Sequence, residues 1–274
     1  MRALIVSAPT LDEIEFEAER RTVKLPGGPA LFAGLALRRL GYEVCCVGPF
    51  GLRVKDSILF EQSLGITRVC CERPDEGYVM HHTYAASGER RTKVASRASP
   101  LSAEEVRSAV LRCKPDLVLV SPNFDEVPLE ALSATGSPLI TVLDVQGYAR
   151  SLGEGWWDRI PPGSARLVHM SDDDGPLPVA RRLSQAFEAV MYTLGPGGAV
   201  LFSGGVATAM PARGPRLKDR TGAGDIITAL VSHYYIVEGL ALEEAYEASQ
   251  ELFMRIIEEA ATLRSRAFFK PRLT

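Results

Sequence analysis

A glycine-rich segment that runs into an apolar helical pattern is the part of the chain best suited to chemistry. It reads Asp219-Arg220-Thr221-Gly222-Ala223-Gly224-Asp225. Gly222 and Gly224 allow the backbone to approach a ligand closely, and the first N–H groups of a helix attract an anion such as a transferring phosphoryl group. Asp225 falls in the first helical turn, where its carboxylate can take a proton from an attacking hydroxyl. The segment predicts a phosphoryl-transfer site; a glycine loop with an Asp that complements the helix dipole is the alternative.

Other candidate ligand-binding residues follow strand-like runs. Gln146 and Arg150 come after the apolar run 138–145, and ligands of open α/β sheets bind where parallel strands end. They are candidate substrate-binding residues, with loop solvation as the alternative. Gly195 and Gly198 lie in a segment that lacks the Gly-Lys-Ser/Thr ending of a Walker phosphate loop. We therefore predict a turn between strands that line a nucleotide site, or else a plain hairpin turn.

Composition limits the class of function. The chain has 274 residues, enough for one α/β domain with a substantial core. Its formal net charge of −3 lacks the basic excess of a nucleic-acid or membrane-surface binder. The first apolar run is too short for a signal peptide, and no run reaches the ~18 apolar residues of a membrane span. We expect a cytoplasmic protein, monomeric or homodimeric, that acts on small molecules.

The cysteines are grouped in two adjacent pairs, Cys45-Cys46 and Cys70-Cys71, with Cys113 apart from them. There is no Cys-x-x-Cys spacing that suggests zinc, and adjacent residues of a strand point to opposite faces. Reduced, buried thiols are expected, and a disulfide between the two strands is the alternative.

Strand-length apolar runs alternate with helical patterns along most of the chain. Strands are predicted at 3–9, 43–48, 67–71, 116–122, 138–145, 166–171 and 189–195. Helices are predicted at 29–41, 54–65, 102–113, 223–237 and 242–262, the third of them started by a capping box of Ser102 and Glu105. This alternation predicts an α/β fold with a mostly parallel central sheet flanked by helices.

Two segments depart from that alternation. Residues 13–25 and 75–98 alternate polar and apolar positions without a crossover helix, and the second turns near 86–88. They predict a small antiparallel sheet that projects from the main domain, with ordinary surface hairpins as the alternative. His81 and His82 lie in the second segment, and strand alternation directs one of them towards the cleft.

Several of these segments together resemble the ribokinase-like carbohydrate kinases, the PfkB family. Residues 219–225 resemble the family's C-terminal signature, and the glycine pair and helix of 27–41 resemble its N-terminal motif at matching spacing. Residues 191–200 resemble the stretch before its nucleotide loop. Residues 143–150 are similar to the inositol-kinase-like members. The similarity covers most of the chain in the right order.

The resemblance implies an ATP-dependent kinase of small sugars or polyols, built as one domain, 1–274, with the small sheet as a lid. It implies Mg²⁺ as a further cofactor and a monovalent-cation region near Asp219. By position it assigns catalytic roles to Asp225, Gly222, Ala223 and Gly224; acceptor binding to Asp12 and Gly28, joined by Gln146 and Arg150; nucleotide binding to Thr193, Gly195, Gly198 and Thr221; and magnesium to Asp174.

The chain departs from the family pattern at two places. Phe32 stands where the family usually has a sugar-binding Asn, and Ser171 and Asp174 stand in place of an Asn-x-x-Glu pair. Phe32 disfavours ribose or fructose recognition and crowds a nucleobase, so we expect a compact polyol or cyclitol such as myo-inositol. Two alternatives stay open: a nucleoside kinase of the same family, with the base stacked on Phe32, and a catalytically silent sugar-binding protein.

Overall fold

The computed structural model describes residues 1–84, 90–213 and 221–267. The strands are β1 Arg2–Val6, β2 Thr10–Phe16, β3 Arg21–Gly27, β4 Glu43–Phe50, β5 Ile66–Glu72, β6 Tyr78–Tyr84, β7 Arg90–Ser96, β8 Leu117–Val120, β9 Thr141–Asp144, β10 Leu167–Ser171, β11 Ala189–Thr193, β12 Ala199–Ser203 and β13 Val206–Met210. The α-helices are α1 Pro29–Arg39, α2 Lys55–Ser63, α3 Ala103–Cys113, α4 Gln146–Ser151, α5 Leu177–Leu183, α6 Ala223–Ser232 and α7 Leu242–Ala267.

The main sheet has nine strands in the order β13-β12-β11-β10-β9-β8-β1-β4-β5. Every neighbouring pair from β11 to β5 is parallel, and β12 and β13 continue the sheet as an antiparallel edge. Central strands such as β8 are buried along their whole length, as expected when helices cover both faces. The predicted α/β fold with a mostly parallel sheet is confirmed.

Alternate residues of each strand supply two separate cores. On β1, Ala3 and Ile5 join the core under α1, α6 and α7, whereas Leu4 and Val6 join the core under α3, α4 and α5. Because side chains alternate across a strand, one short apolar run packs against both helical layers. The sheet is thereby packed between the two helical layers, and the loops that follow its strands extend from their carboxyl ends.

The helices begin and end near their predicted limits. The capping box of α3 is present, since Ser102 Oγ accepts from the Glu105 N–H at 3.2 Å and the Glu105 carboxylate accepts from the Ser102 N–H at 2.9 Å. The predicted helix 223–237 is α-helical only as far as Ser232 and continues as a π-turn over 233–237. Helix α7 extends five residues beyond its predicted end at 262, because apolar positions such as Leu263 continue to face the core.

The second sheet has four strands in the order β3-β2-β6-β7 and contains both segments that break the alternation. Its two hairpins are antiparallel, but β2 and β6 join them in parallel. The sheet is therefore mixed rather than antiparallel, since β4, α2 and β5 intervene and return the chain to β6 in the direction of β2. The turn at 86–88 lies outside the described residues.

The cysteine arrangement agrees with the sequence-based expectation at Cys46 and Cys113, which are buried free thiols, but not at Cys70 and Cys71. Cys70 and Cys71 form a disulfide with each other, while Cys45, Cys46 and Cys113 are free thiols. The argument from strand alternation fails here because the pairing of β4 with β5 is irregular at this point, with a register shift between Cys46 and Val47.

Among the described helices, none combines the length and the apolar character needed to cross a membrane.

Candidate active site at the start of α6

The glycine turn before α6 is shaped by a contact with α1. Gly222 has a φ of 79°, in the left-handed region that favours glycine, and its carbonyl accepts from the Ile226 N–H at 2.9 Å. A Cβ at this position would lie 2.2 Å from the ring of Phe32, so a side chain does not fit. As the N-cap residue, Gly222 has no side chain to cover the helix start. The N–H groups of Ala223, Gly224 and Asp225 therefore remain to face an anion.

Asp225 lies where three segments meet. Its Oδ1 accepts from Gln146 Nε2 at 3.3 Å and from Ser121 Oγ at 3.4 Å. Ser121 follows β8, and Gln146 opens α4 after β9. The carboxylate is thus held above the carboxyl ends of central parallel strands, the usual place for a ligand in such sheets.

The environment of Asp225 suits a general base. Burial raises the pKa of Asp225 to about 7, and the nearby Asp144 carboxylate acts in the same direction. His169 and Arg150 act against this rise. At neutral pH, a carboxylate with such a pKa is ionised in a large fraction of the molecules, and it also accepts a proton readily.

The two other residues of the 143–150 segment are positioned differently. Gln146 is held by its own N–H, which donates to Asp144 Oδ1 at 3.0 Å, and its side chain reaches Asp225. Arg150 is exposed, and its Nη1 donates to the carbonyl of Asn123 at 3.2 Å. Gln146 therefore contacts the candidate base directly, whereas Arg150 acts on it through charge.

Asp12 is in a closed, ion-paired environment on β2. Its carboxylate accepts from Thr10 Oγ1 at 2.7 Å and pairs with Arg264 of α7 at 2.7 Å, and His82 of β6 lies 3.9 Å away. Burial acts to raise the pKa of Asp12, but His82 and Arg264 outweigh it and hold the pKa below its ordinary value. A Cβ at Gly27 would lie 2.3 Å from the carboxylate, so the first glycine of the pair makes room for Asp12.

Phe32 links this ion pair to the glycine turn. The ring is buried, with Gly222 against it and the Arg264 guanidinium carbon 5.1 Å from its centroid. Gly28, with a φ of 97°, starts α1 and brings the ring into place. The departure at position 32 is therefore a packing arrangement in which Phe32 supports Gly222 and Arg264.

The residues assigned to the nucleotide lie along β11 and beyond it. Thr193 ends β11, and its Oγ1 lies 3.0 Å from Nε2 of His169. Gly195 and Gly198 form the turn between the antiparallel strands β11 and β12, as the sequence predicts, and the backbone of Met210 leaves no space for a Cβ at Gly198. Thr221 directly precedes Gly222, and Asp219 lies outside the described residues.

Asp174 fits the needs of a magnesium ion only as one ligand among several. Its Oδ2 accepts from the Ser171 N–H at 2.8 Å and from Ser171 Oγ at 2.6 Å, and burial raises the pKa of Asp174. In the described part of the chain, no group of three or more His, Cys, Asp or Glu side chains is arranged to hold a metal. Since Mg²⁺ usually combines one or two carboxylates with water and substrate phosphates, Asp174 is compatible with it.

Three residues of the site were missed by the sequence reasoning: Ser121, His169 and Arg264. Ser121 directly follows the buried strand β8, and that position was an available signal, whereas His169 lies in the middle of β10. Arg264 lies 252 residues from Asp12 in sequence, and nothing in the local pattern of α7 indicates the pair.

The two sheets and the glycine turn at α6 together define a ribokinase-like fold, that of the kinases of the ribokinase family. A pyrophosphate-dependent kinase of that family, complexed with a pyrophosphate analogue and myo-inositol, superposes with a TM-score of 0.76 and 14% identity over 93% of this chain and 95% of that one. Ribokinase from Cryptococcus neoformans var. grubii serotype A, in complex with ADP, gives 0.70 and 17% over 97% and 99%.

A nucleoside kinase from Burkholderia thailandensis, in complex with inosine, superposes with a TM-score of 0.71 and 18% identity over 92% of this chain and 89% of that one. No protein-family model and no curated protein matches the chain in sequence. The likeness is thus one of fold, and it spans neighbours that were solved with different small molecules.

Proposed function

We propose that this chain is a kinase of the ribokinase-like family that transfers the terminal phosphoryl group of ATP to a hydroxyl of a small sugar or polyol. The observation that carries the proposal is Asp225, a carboxylate in the first turn of α6 beside the first N–H groups of that helix, with a pKa of about 7. The ribokinase-like fold supports it. A catalytically silent binding protein has no evident need for such a base.

In the proposed reaction, Asp225 takes the proton of the acceptor hydroxyl as the hydroxyl oxygen attacks the terminal phosphorus of ATP. The bond between that phosphorus and the bridging oxygen breaks, and ADP leaves with the electron pair. Gln146 and Ser121 orient the carboxylate through Oδ1. The N–H groups of Ala223 and Gly224 donate to the phosphoryl oxygens and stabilise the charge that develops there. The left-handed conformation of Gly222 supports this function because it turns the chain directly into the helix.

The donor is proposed to lie along the turn 195–198 and the glycine turn of α6, in contact with Thr193 and Thr221. Asp174 would help to hold Mg²⁺, which supplies charge neutralisation at the phosphates when it is bound. The region near Asp219 would take a monovalent cation by resemblance alone.

Among acceptors, a cyclitol such as myo-inositol is favoured. Gln146 and Arg150 offer polar contacts beside Asp225, and Asp12 of β2 with Gly28, the N-cap residue of α1, would add a polar boundary. Phe32 argues against the nucleoside alternative, because its buried ring already packs against Gly222 and Arg264 and is not available to stack on a base. The neighbour that was solved with myo-inositol supports this choice.

A substitution of the base tests the mechanism. Asp225→Asn should lower kcat by roughly 10²–10⁴-fold or more while ATP affinity changes little. In the wild type, kcat/KM should rise with pH through about 7, since the ionised carboxylate is the active form. The matched control is Asp158→Asn, which removes the same charge from an exposed side chain.

The pKa shift also predicts the stability of this variant. Because the fold raises the pKa of Asp225 from 3.8 to about 7, the cost of its ionised form develops between these two pH values and is complete above about 7, so Asp225→Asn should be at least as stable as the wild type at pH 8. Wild-type turnover in a folded Asp225→Asn protein would contradict the mechanism.

A substrate panel tests the acceptor and the donor. We would compare kcat/KM for myo-inositol, fructose 6-phosphate, ribose, adenosine and cytidine, each with ATP and with pyrophosphate in the presence of Mg²⁺. Preference for a nucleoside by tenfold or more would overturn the cyclitol assignment and leave the kinase assignment intact. Absence of turnover with every pair would favour the binding protein.

A further inference from the structure

A line of hydrogen bonds joins three neighbouring strands next to the candidate site, from the last residue of β9 through the middle of β10 to the last residue of β11. Asp144 at the end of β9 accepts from His169 Nδ1 of β10 at 2.8 Å, and His169 Nε2 lies 3.0 Å from Thr193 Oγ1 at the end of β11. Only 3% of each of the Asp144 and His169 side chains is exposed. Both ring nitrogens are engaged, so the imidazole cannot turn without breaking a contact on each side.

This line touches the candidate base at two places. Asp144 Oδ1 accepts from the Gln146 N–H, and Gln146 Nε2 donates to Asp225. On the other side, Cε1 of His169 is only 3.3 Å from where a Cβ at Gly224 would lie, so the ring packs directly against the turn that carries Asp225. His169 thus packs against the turn that carries Asp225, while Gln146 donates a hydrogen bond to the Asp225 carboxylate itself.

The charges around His169 fit that position. Burial opposes protonation, but the carboxylates of Asp144 on β9, Asp174 after β10 and Asp225 on α6 outweigh it and raise the pKa of His169. Arg150 is the cation that faces Asp174 and Asp225 from α4. His169 is therefore protonated more readily than an ordinary histidine, and its charge, when present, favours the ionised form of Asp225.

The chain contains a second buried histidine for comparison. His233 follows α6, its Nδ1 lies 2.9 Å from Tyr42 Oη, and burial lowers its pKa. It has a hydroxyl rather than a carboxylate on that nitrogen, and it lies at the opposite end of α6 from Asp225. Burial and one hydrogen bond are common to both histidines, whereas contact with the Gly224 turn distinguishes His169.

We propose that His169 is a positioning residue for phosphoryl transfer. Its ring is fixed by hydrogen bonds to Asp144 and Thr193. The fixed ring holds the turn of Gly224 and Asp225 in place between Gln146 on the acceptor side and Thr193 on the donor side. The inference rests on the proposed function for its kinetic consequence, but its structural consequence is independent of activity.

The test compares His169→Gln with His233→Gln. Glutamine keeps a donor and an acceptor but lacks the ring that packs on Gly224 and the positive charge. Amide exchange at Ile226, whose N–H is bonded to the Gly222 carbonyl across the turn, should become about tenfold faster in His169→Gln and stay unchanged in His233→Gln. With the acceptor found in the panel, kcat should fall roughly 10–100-fold while both KM values stay within about threefold, because position rather than binding is lost. The acid limb of kcat/KM should also move to higher pH.

Each outcome decides one of the two proposals. Equal exchange in the two variants would overturn the positioning role, whether or not the wild type has kinase activity. Absence of turnover in the wild type refutes the proposed function and leaves the exchange result to decide on His169. If His169→Gln does not fold, Thr193→Val removes only the Nε2 contact from a half-buried residue, and it should accelerate exchange at Ile226 to a smaller extent. Unchanged exchange there would overturn the inference.

Discussion

The buried ion pair between Asp12 and Arg264 joins the small sheet to α7, and its removal should destabilise the protein strongly. The two side chains are 5% and 3% exposed and 2.7 Å apart. At an effective dielectric constant of about 20, two charges about 4 Å apart attract by about 4 kcal/mol, and desolvation offsets part of this. Arg264→Met leaves the Asp12 carboxylate with Thr10 and His82 only. We expect a loss of about 3 kcal/mol in the free energy of unfolding.

A double-mutant cycle separates the pair from its surroundings. Asp12→Asn, Arg264→Met and the double variant would be unfolded in urea, with the fluorescence of Trp156 and Trp157 as the probe. The double variant should be more stable than the sum of the single losses implies, with a coupling of about 2 kcal/mol. Because the fold lowers the pKa of Asp12, this stabilisation is present above its ordinary pKa and should fade as pH falls below about 4.

The matched control for the cycle is Arg255→Met on the same helix. Its side chain is 73% exposed and pairs with Glu251, so the change should cost less than about 0.5 kcal/mol. If Arg264→Met costs no more than Arg255→Met, or if the coupling is below about 0.5 kcal/mol, the pair does not hold the small sheet to α7. An acceptor KM raised much more by Asp12→Asn than by Arg264→Met would show that Asp12 also reaches the substrate.

Two further predictions concern the glycine turn and the small sheet. Gly222→Ala should lower stability and kcat far more than Gly239→Ala, because both glycines have a positive φ but only at Gly222 would a Cβ strike the Phe32 ring; the two variants are compared by thermal unfolding and turnover, and equal losses would contradict the packing argument. If the small sheet acts as a lid, amide exchange in β6 and β7 should slow when an acceptor and an ATP analogue bind together, while α3 stays unchanged. Unchanged exchange in β6 and β7 would indicate a static sheet.

Phe32 has a packing role that the sequence motif did not indicate. From sequence, the residue suggested an apolar wall that either crowds a base or stacks on one. In the structure the ring is enclosed between Gly222 and Arg264. The same ring therefore accounts for the glycine at position 222 and for the placement of an arginine from the far end of the chain.

Local patterns in the sequence were sufficient for the fold class and for the position of Asp225 in the first turn of a helix that follows a glycine turn. Runs such as β8 and β1 are buried on both faces, so their near-continuous apolar character indicates parallel strands directly. The capping box at Ser102 and the turn at 195–198 depend on residues only a few positions apart, and both were predicted. The prediction that Cys70 and Cys71 point to opposite faces of a strand was wrong. An irregular register between two strands cannot be recognised from the periodicity of the sequence.

Only the tertiary structure decided which side chains meet. In the sequence, His169 is one polar residue within a predicted strand. In the structure, both of its ring nitrogens are hydrogen-bonded, because the pairing of β9, β10 and β11 brings Asp144 and Thr193 to either side of it. Asp12 reads as a free carboxylate, and it becomes an ion pair because α7 returns to β2 with Arg264. Periodicity records which face of an element is buried, whereas these contacts depend on how distant elements pack, and that information is not contained in any short stretch of the chain.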